Sequence, residues 1–374
     1  MKNEKIVRAS NFELLRIVAM VIIIIFHIFD HCIKIQLTDA TSIAQMENGY
    51  FNSPIIYKRL FIADFCLIGG PISNAIFMLI SGYFLSNKTH INMISTTKRL
   101  LSQLAFACLF LIFGSYILYS IPQSGINSYV GLIDISYFNS MSWYIGYYYI
   151  VVLTGKLFLN KYLSNLDVQR YKEFLLIILA IIELSWSGAI LDGIIPGLRI
   201  IFTGIFLYSL GGFIRIYNPL AIIRLRFILF YSVFLVGLMY ISAYNVKSLS
   251  IENYIINQNN IGDYIQTVST YNNYHILALC TAILIFELFR RIPPFKNRII
   301  NYIGSATFMI YLIHDNSFFY SLWNSIDWIY LWYNSISLFL LNILKWTVIV
   351  FLIGLVANCI YDIISNFYLN KNKL

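Results

Sequence analysis

Charged residues are scarce in this chain of 374 residues: only 11% are charged, while 59% are hydrophobic. A soluble domain must cover its exterior with polar side chains, so this composition argues against that class. Apolar runs of about 18 or more residues recur along the whole chain, which is typical of membrane-spanning helices. We therefore predict an all-α polytopic membrane protein, built as a single domain over residues 1–374.

Cysteine and ligand-binding motifs are also sparse. The five cysteines are scattered, mostly within apolar runs, with no CxxC or CxH spacing, so we expect neither a disulfide nor a metal site. Gly-rich phosphate loops, zinc-finger spacings and basic helices are missing, so the net charge of +9 does not indicate nucleic-acid binding. The first apolar run lacks a small-residue cleavage site, and we expect it to be retained as a helix.

The apolar runs predict about ten spans on a template of roughly 20 residues. They cover residues 13–33, 65–86, 100–120, 140–159, 174–191, 199–217, 226–244, 275–290, 302–320 and 339–365. The longest predicted loops, 34–64 and 245–273, are polar and rich in Asn and Tyr.

Lysine and arginine are distributed unevenly between the two sides of these spans. With the N-terminus in the cytoplasm, the cytoplasmic segments hold 19 of these residues and the outer segments hold 6, and Arg16 lies inside the first span. Cytoplasmic segments of membrane proteins carry an excess of positive charge. We therefore predict an N-in, C-in, multi-pass protein of the cell (inner or plasma) membrane.

The first span carries ionisable residues where lipid makes them costly. Arg16 and His27 are eleven residues apart, so on an α-helix they lie within about 20° of one another and about 16 Å apart along the axis. His31 follows one turn later on nearly the same side. Alone, Arg16 could snorkel to headgroups and His27 could bond a neighbouring helix. Together they predict a polar stripe that faces a cavity or the bundle interior.

Two further sites lie near the predicted outer ends of spans. The consecutive triplet His314, Asp315 and Asn316 ends an apolar run, either as an interfacial cap or with His314 facing the same cavity as His27. Arg199 enters the sixth span, either as a snorkelling residue or as part of a binding site.

Small, basic and aromatic residues mark three other positions. Ser81 forms a small-residue pair with Gly82, which allows close helix packing. Lys98 and Arg99 open the third span at its cytoplasmic edge, where they could contact lipid phosphates or an anionic cofactor. Trp143 lies in an aromatic segment that serves either as an interfacial belt or as a platform for sugar stacking.

These segments together resemble the acyltransferase-3 family of integral-membrane acyltransferases. The resemblance rests on five elements in family order: NFELLRIVAMVIIIIFH, FMLISGYFL, KRLL, MSWYIGYYYIVVLTGKLFLN and SATFMIYLIHDN. The first carries the family's arginine, ten intervening residues and histidine, at Arg16 and His27. The proline that usually ends the fourth element is absent, and Gly155-Lys156 stands there instead.

The resemblance implies an O-acetyltransferase that uses cytoplasmic acetyl-CoA, without a metal, to modify an extracytoplasmic glycan or lipid-linked sugar. His27 would then act as general base, or less favourably as an acyl carrier, and Arg16 would anchor the donor or stabilise charge. Lys98, Arg99 and Ser81 would bind the cofactor. The acceptor would contact residues nearer the outer side: His31, His314, Arg199 and Trp143. Asp30 could orient a histidine.

A transporter of lipid-linked sugars or a polysaccharide polymerase is the alternative. Transporters often carry internal repeats and Gly- or Pro-broken helices, but this chain has no convincing repeat and only seven prolines. A polymerase would be expected to place arginines in large outer loops, and Arg59 is the only arginine in the two long loops. A longer acyl group, such as succinyl, is the alternative to acetyl.

Overall fold

A computed structural model describes residues 9–38, 61–88, 91–119, 143–257 and 272–371. These residues form sixteen α-helices, two π-helical turns and one 3₁₀ turn, and they contain no strand. In chain order the helices are α1 (Ser10–Ile28), α2 (Lys34–Thr38), α3 (Phe61–Leu67), α4 (Gly69–Leu85), α5 (Met93–Tyr119), α6 (Trp143–Thr154), α7 (Asn160–Ser164), α8 (Val168–Glu183), α9 (Ser185–Ile194), α10 (Leu198–Tyr217), α11 (Leu225–Asn257), α12 (Ile276–Arg290), α13 (Arg298–His314), α14 (Ser317–Asn324), α15 (Trp328–Asn334) and α16 (Ile336–Lys371).

The structure confirms an all-α polytopic membrane protein. In the described ranges, six helical segments are long and apolar enough to cross a bilayer, and each of the ten predicted spans contains helix. Two spans differ from the prediction, because the fifth is broken at Leu184 and the ninth ends at His314. Helix α11 continues to Asn257, into the predicted loop 245–273. Most of the predicted loop 34–64 lies outside the described residues.

Helix α1 lies at the centre of the packing and contacts α4 on one side and α13 on the other. Its N-terminal half joins a core with α4, α10 and α12, to which Leu15 and Ala19 contribute fully buried side chains. Its C-terminal half joins a second core with α13, α14 and α16, to which Met20 and Ile24 contribute. Because α1 belongs to both cores, its polar stripe is held in a fixed position between them.

Helices α4 and α10 approach so closely that only glycine fits at their contact. A Cβ atom at Gly82 would overlap the backbone of Tyr208, and one at Gly211 would overlap the carbonyl oxygen of Leu79. The small residue at 82 therefore serves helix packing.

The chain reverses sharply after α13. Asp315 leaves the helical conformation, with φ −83° and ψ 68°, and Asn316 caps α14 by accepting a hydrogen bond from the Phe318 N–H at 3.1 Å. A side-chain oxygen at this position satisfies an otherwise unpaired helix donor. The reversal places Tyr320, on the first turns of α14, next to Asp315.

Two π-helical turns interrupt the helices near functional segments. The first, Phe29–Ile33, follows α1 directly and contains Asp30 and His31. The second, Gly155–Leu159, lies where the family's proline is absent. A π-turn adds one residue to a helical turn and so redirects the side chains that follow it.

Candidate active site

His27 and Asp315 form the centre of the site. The Nδ1 atom of His27 lies 3.1 Å from Oδ1 of Asp315, and both residues are buried. A carboxylate accepts only, so Nδ1 of His27 donates its hydrogen to Asp315, and the neutral form of the ring carries its lone pair on Nε2. This is the tautomer that can take a proton from a substrate.

Three aromatic rings surround this pair. The Tyr320 hydroxyl donates a hydrogen bond to the same Asp315 oxygen and lies 3.3 Å from Nδ1 of His27. The ring of His31 stacks on the Tyr320 ring, with centroids 4.2 Å apart. Behind His27 lies the fully buried ring of His314, at 4.9 Å, whose Nδ1 donates to the Tyr311 carbonyl at 2.8 Å.

His27 faces a cavity of about 350 Å³, which we call the His27 cavity. Its polar lining in the described residues consists of His27, Asp30, His31, Asn74, Trp143, Asn272, Asn273, Tyr311 and Asp315. Among these lining residues there is no lysine or arginine. The cavity therefore offers hydroxyl and amide partners, an indole ring and two carboxylates.

Arg16 faces a second cavity of about 200 Å³, the Arg16 cavity. The Arg16 guanidinium is held by Glu13, with Nη1 at 3.0 Å from Oε1 and 3.1 Å from Oε2. Arg99 and Ser81 also line this cavity. Guanidinium groups bind phosphate and carboxylate well, so this cavity suits an anionic ligand.

The two cavities meet along α1. Within the described part of the chain, three residues line both of them: Ile23, Asn74 and Tyr311, which we call the waist. Ile23 lies one helical turn before His27. The waist is therefore the part of the lining that the two cavities share, next to His27.

The structure brings some sequence-predicted residues to these cavities and leaves others away from them. His27, His31 and Trp143 line one cavity, while Arg16, Arg99 and Ser81 line the other. Three predicted residues line neither cavity as described: Lys98, His314 and Arg199.

The three differ in what they contact. Lys98 is exposed, and His314 packs behind His27. Arg199 donates from Nε to the Ile182 carbonyl at 2.8 Å, and its guanidinium lies 3.7 Å from the centre of the Tyr274 ring. Arg199 thus ties α10 to its neighbours.

The sequence did not identify Asp315, Tyr320 or Asn74 as functional residues. Asp30, which was expected to orient a histidine, lies 3.4 Å from Lys34 and 4.0 Å from His31, whereas Asp315 pairs with His27. Asp315 belongs to the polar triplet that the sequence did single out. The signal for its function was the energetic cost of an ionisable residue at the end of a membrane span.

A divalent cation has potential ligands here. The ligand atoms of His27, His31 and Asp315 all lie within 4.8 Å of one another. The same atoms of His27 and Asp315 already pair with each other and with Tyr320. That no metal is used remains a prediction from the sequence.

The fold and this site define a polytopic membrane protein with a paired histidine and carboxylate between two cavities. The family model described as an acyltransferase domain matches residues 10–365. The chain therefore belongs to the acyltransferase-3 family and is a membrane acyltransferase, as its five sequence elements indicated. Comparisons with curated proteins and with solved structures give no match.

Proposed function

We propose that this acyltransferase moves an acetyl group from cytoplasmic acetyl-CoA to a hydroxyl of an extracytoplasmic glycan or lipid-linked sugar. The observation that carries the proposal is the pair of cavities that meet at the waist beside His27. One cavity has two arginines and the other has none among its described lining residues. An anionic donor and a hydroxyl acceptor can thus approach from opposite ends.

The donor belongs in the Arg16 cavity. Arg16 and Arg99 offer guanidinium groups to the phosphates or polar groups of acetyl-CoA, and Glu13 fixes the direction of Arg16. The excess of Lys and Arg in the predicted cytoplasmic segments supports a cytoplasmic opening on this side. The thioester then reaches toward the waist and His27.

The acceptor belongs in the His27 cavity. Its asparagines can hydrogen-bond sugar hydroxyls, and Trp143 offers a ring for stacking. Nε2 of His27 takes the proton of the attacking hydroxyl, a C–O bond forms at the acetyl carbonyl, and the C–S bond breaks to release CoA as thiolate. His27 then returns its proton to solvent or to the thiolate.

The test uses membranes that contain the protein, labelled acetyl-CoA and isolated surface glycan. His27→Ala should lower acetyl transfer by roughly 10²- to 10⁴-fold, the usual contribution of a positioned general base. The matched control is His275→Ala, because His275 lines neither cavity. His31→Ala tests the other histidine of the stripe and should retain more activity than His27→Ala. Full transfer by His27→Ala would contradict the mechanism.

The acceptor and the acyl group are tested separately. Mass spectrometry should show acetylated surface glycan in cells that carry the gene and its loss in a deletion strain. Labelled succinyl-CoA should transfer poorly, because its terminal carboxylate would enter a cavity lined by Asp30 and Asp315. Labelling of glycan in the absence of acyl-CoA would favour a transporter or polymerase instead.

A further inference from the structure

The waist defines where the reacting carbonyl must lie, if the proposed function holds. The thioester comes from the Arg16 cavity and the hydroxyl from the His27 cavity, and only the waist residues line both in the described structure. The tetrahedral intermediate therefore forms among Ile23, Asn74 and Tyr311. Its former carbonyl oxygen carries a negative charge, which needs hydrogen-bond donors that are already in position.

The Arg16 guanidinium is engaged elsewhere. Its Nη1 atom is bound to both carboxylate oxygens of Glu13, and its backbone lies seven residues, or about 10 Å along the axis, before Ile23 of the waist. Ile23 offers no donor. The Tyr311 side chain interacts with the Asp315 carboxylate. Among the waist residues, this leaves the Asn74 carboxamide.

Asn74 is held as an oxyanion donor would be. Its Nδ2 atom donates one hydrogen bond to Oδ1 of Asn273 at 2.9 Å, and its backbone carbonyl accepts from the Tyr144 hydroxyl at 3.5 Å. A carboxamide nitrogen carries two N–H bonds, so one remains for a ligand at the waist. The bond to Asn273 fixes the plane of the amide before substrate arrives.

We propose that Asn74 is a catalytic residue that donates its second N–H to the oxyanion of the tetrahedral intermediate. The residue lies on α4, whose close contact with α10 keeps its position rigid. No charged group is needed at this point, because a neutral donor in a site shielded from water stabilises developing charge strongly.

The experiment compares Asn74→Ala and Asn74→Asp with Asn273→Ala in purified protein, with acetyl-CoA and a glycan acceptor. Both Asn74 variants should lose roughly 10²- to 10³-fold in kcat while the KM for acetyl-CoA stays within about twofold, as for other oxyanion donors. Asn74→Asp keeps the side chain's shape, so it tests the donor even if the alanine variant is unstable. Asn273→Ala breaks the same Asn74–Asn273 bond but keeps the donor. At saturating acceptor, which removes the contribution of Asn273 to acceptor binding, its kcat should fall at most about tenfold.

Equal losses in the Asn74 and Asn273 variants would show that the bond between them is merely structural, and would overturn the proposal. A loss carried by KM alone, or near-normal kcat in Asn74→Asp, would also overturn it. Failure of the unaltered protein to transfer acetyl groups would instead refute the proposed function on which this inference rests.

Discussion

Replacing the carboxylate of Asp315 by an amide tests the central pair of the site. Asp315→Asn keeps the volume of the side chain but removes the charge that accepts the hydrogen bond of His27, whose Nδ1 lies 3.1 Å from Oδ1 of Asp315. A hydrogen bond to a charged group contributes about 1.5–3 kcal/mol. If the whole contribution is expressed in the transition state, kcat for acetyl transfer should fall roughly 10- to 150-fold, since about 1.4 kcal/mol corresponds to a factor of ten. This fall in kcat is measured from initial rates with labelled acetyl-CoA, at saturating donor and acceptor.

The matched control is Asp30→Asn, because Asp30 lines the same cavity but pairs with Lys34 and not with His27. It should reduce kcat much less. A double-mutant cycle gives the sharper result: Asp315→Asn should cost almost nothing further in a His27→Ala background, because the two residues act as a unit. Equal effects of the two asparagine variants, or additive effects in the cycle, would refute the pairing as the source of activity.

Three further predictions concern donor binding, packing and positioning. Arg99→Ala should raise the KM for acetyl-CoA by about tenfold, and Lys98→Ala should raise it less, because only Arg99 lines the Arg16 cavity in the described residues. Gly82→Ala should lower the free energy of unfolding in detergent by about 1–3 kcal/mol through overpacking. Gly114→Ala should leave it unchanged, because the space around Gly114 is open. Tyr320→Phe should lower kcat by about tenfold or less, and a loss larger than that of the carboxylate variant would contradict a positioning role.

The role of α1 as the helix that carries the polar stripe follows from its sequence. Helical periodicity places Arg16 and His27 on one side, and the cost of ionisable groups in lipid requires that side to face a cavity or the protein interior. The structure places both residues on cavities that meet along this helix. The prediction needed no information about other segments, because the residue spacing, the helix and the ionisable side chains all belong to one segment.

The partners of His27 could not be derived in this way. Asp315 and Tyr320 lie roughly 290 residues further along the chain, and they reach His27 through the packing of α1 against α13 and the reversal at Asn316. Neither periodicity nor spacing encodes that contact. Asp30, the carboxylate that the sequence offered to orient a histidine, lies in the π-turn, with its oxygens 3.4 Å from Lys34 and 4.0 Å from His31.

Adjacent residues present a related difficulty. Lys98 and Arg99 follow one another on α5, so their side chains point about 100° apart and need not face the same cavity. Sequence reasoning grouped them because both are basic. The structure separates them, because Arg99 lines the Arg16 cavity and Lys98 does not, although both side chains are exposed.

Charge pairing determines how the variants of His27 must be interpreted. Three carboxylates are buried in the described structure, and each has a cationic or protonatable partner: Glu13 with Arg16, Glu287 with Arg290 and Arg291, and Asp315 with His27. Removing the donor leaves a buried carboxylate without that hydrogen bond, which costs about 1–3 kcal/mol and more for a charged acceptor.

His27→Ala should therefore be less stable to heat as well as inactive, and its inactivity alone would not separate catalysis from folding. The double variant His27→Ala/Asp315→Asn removes the charge together with its partner. We expect it to recover most of the lost thermal stability, measured by unfolding in detergent, while acetyl transfer stays at the level of His27→Ala. Recovery of transfer along with stability would show that His27 supports the fold and that the proton acceptor lies elsewhere.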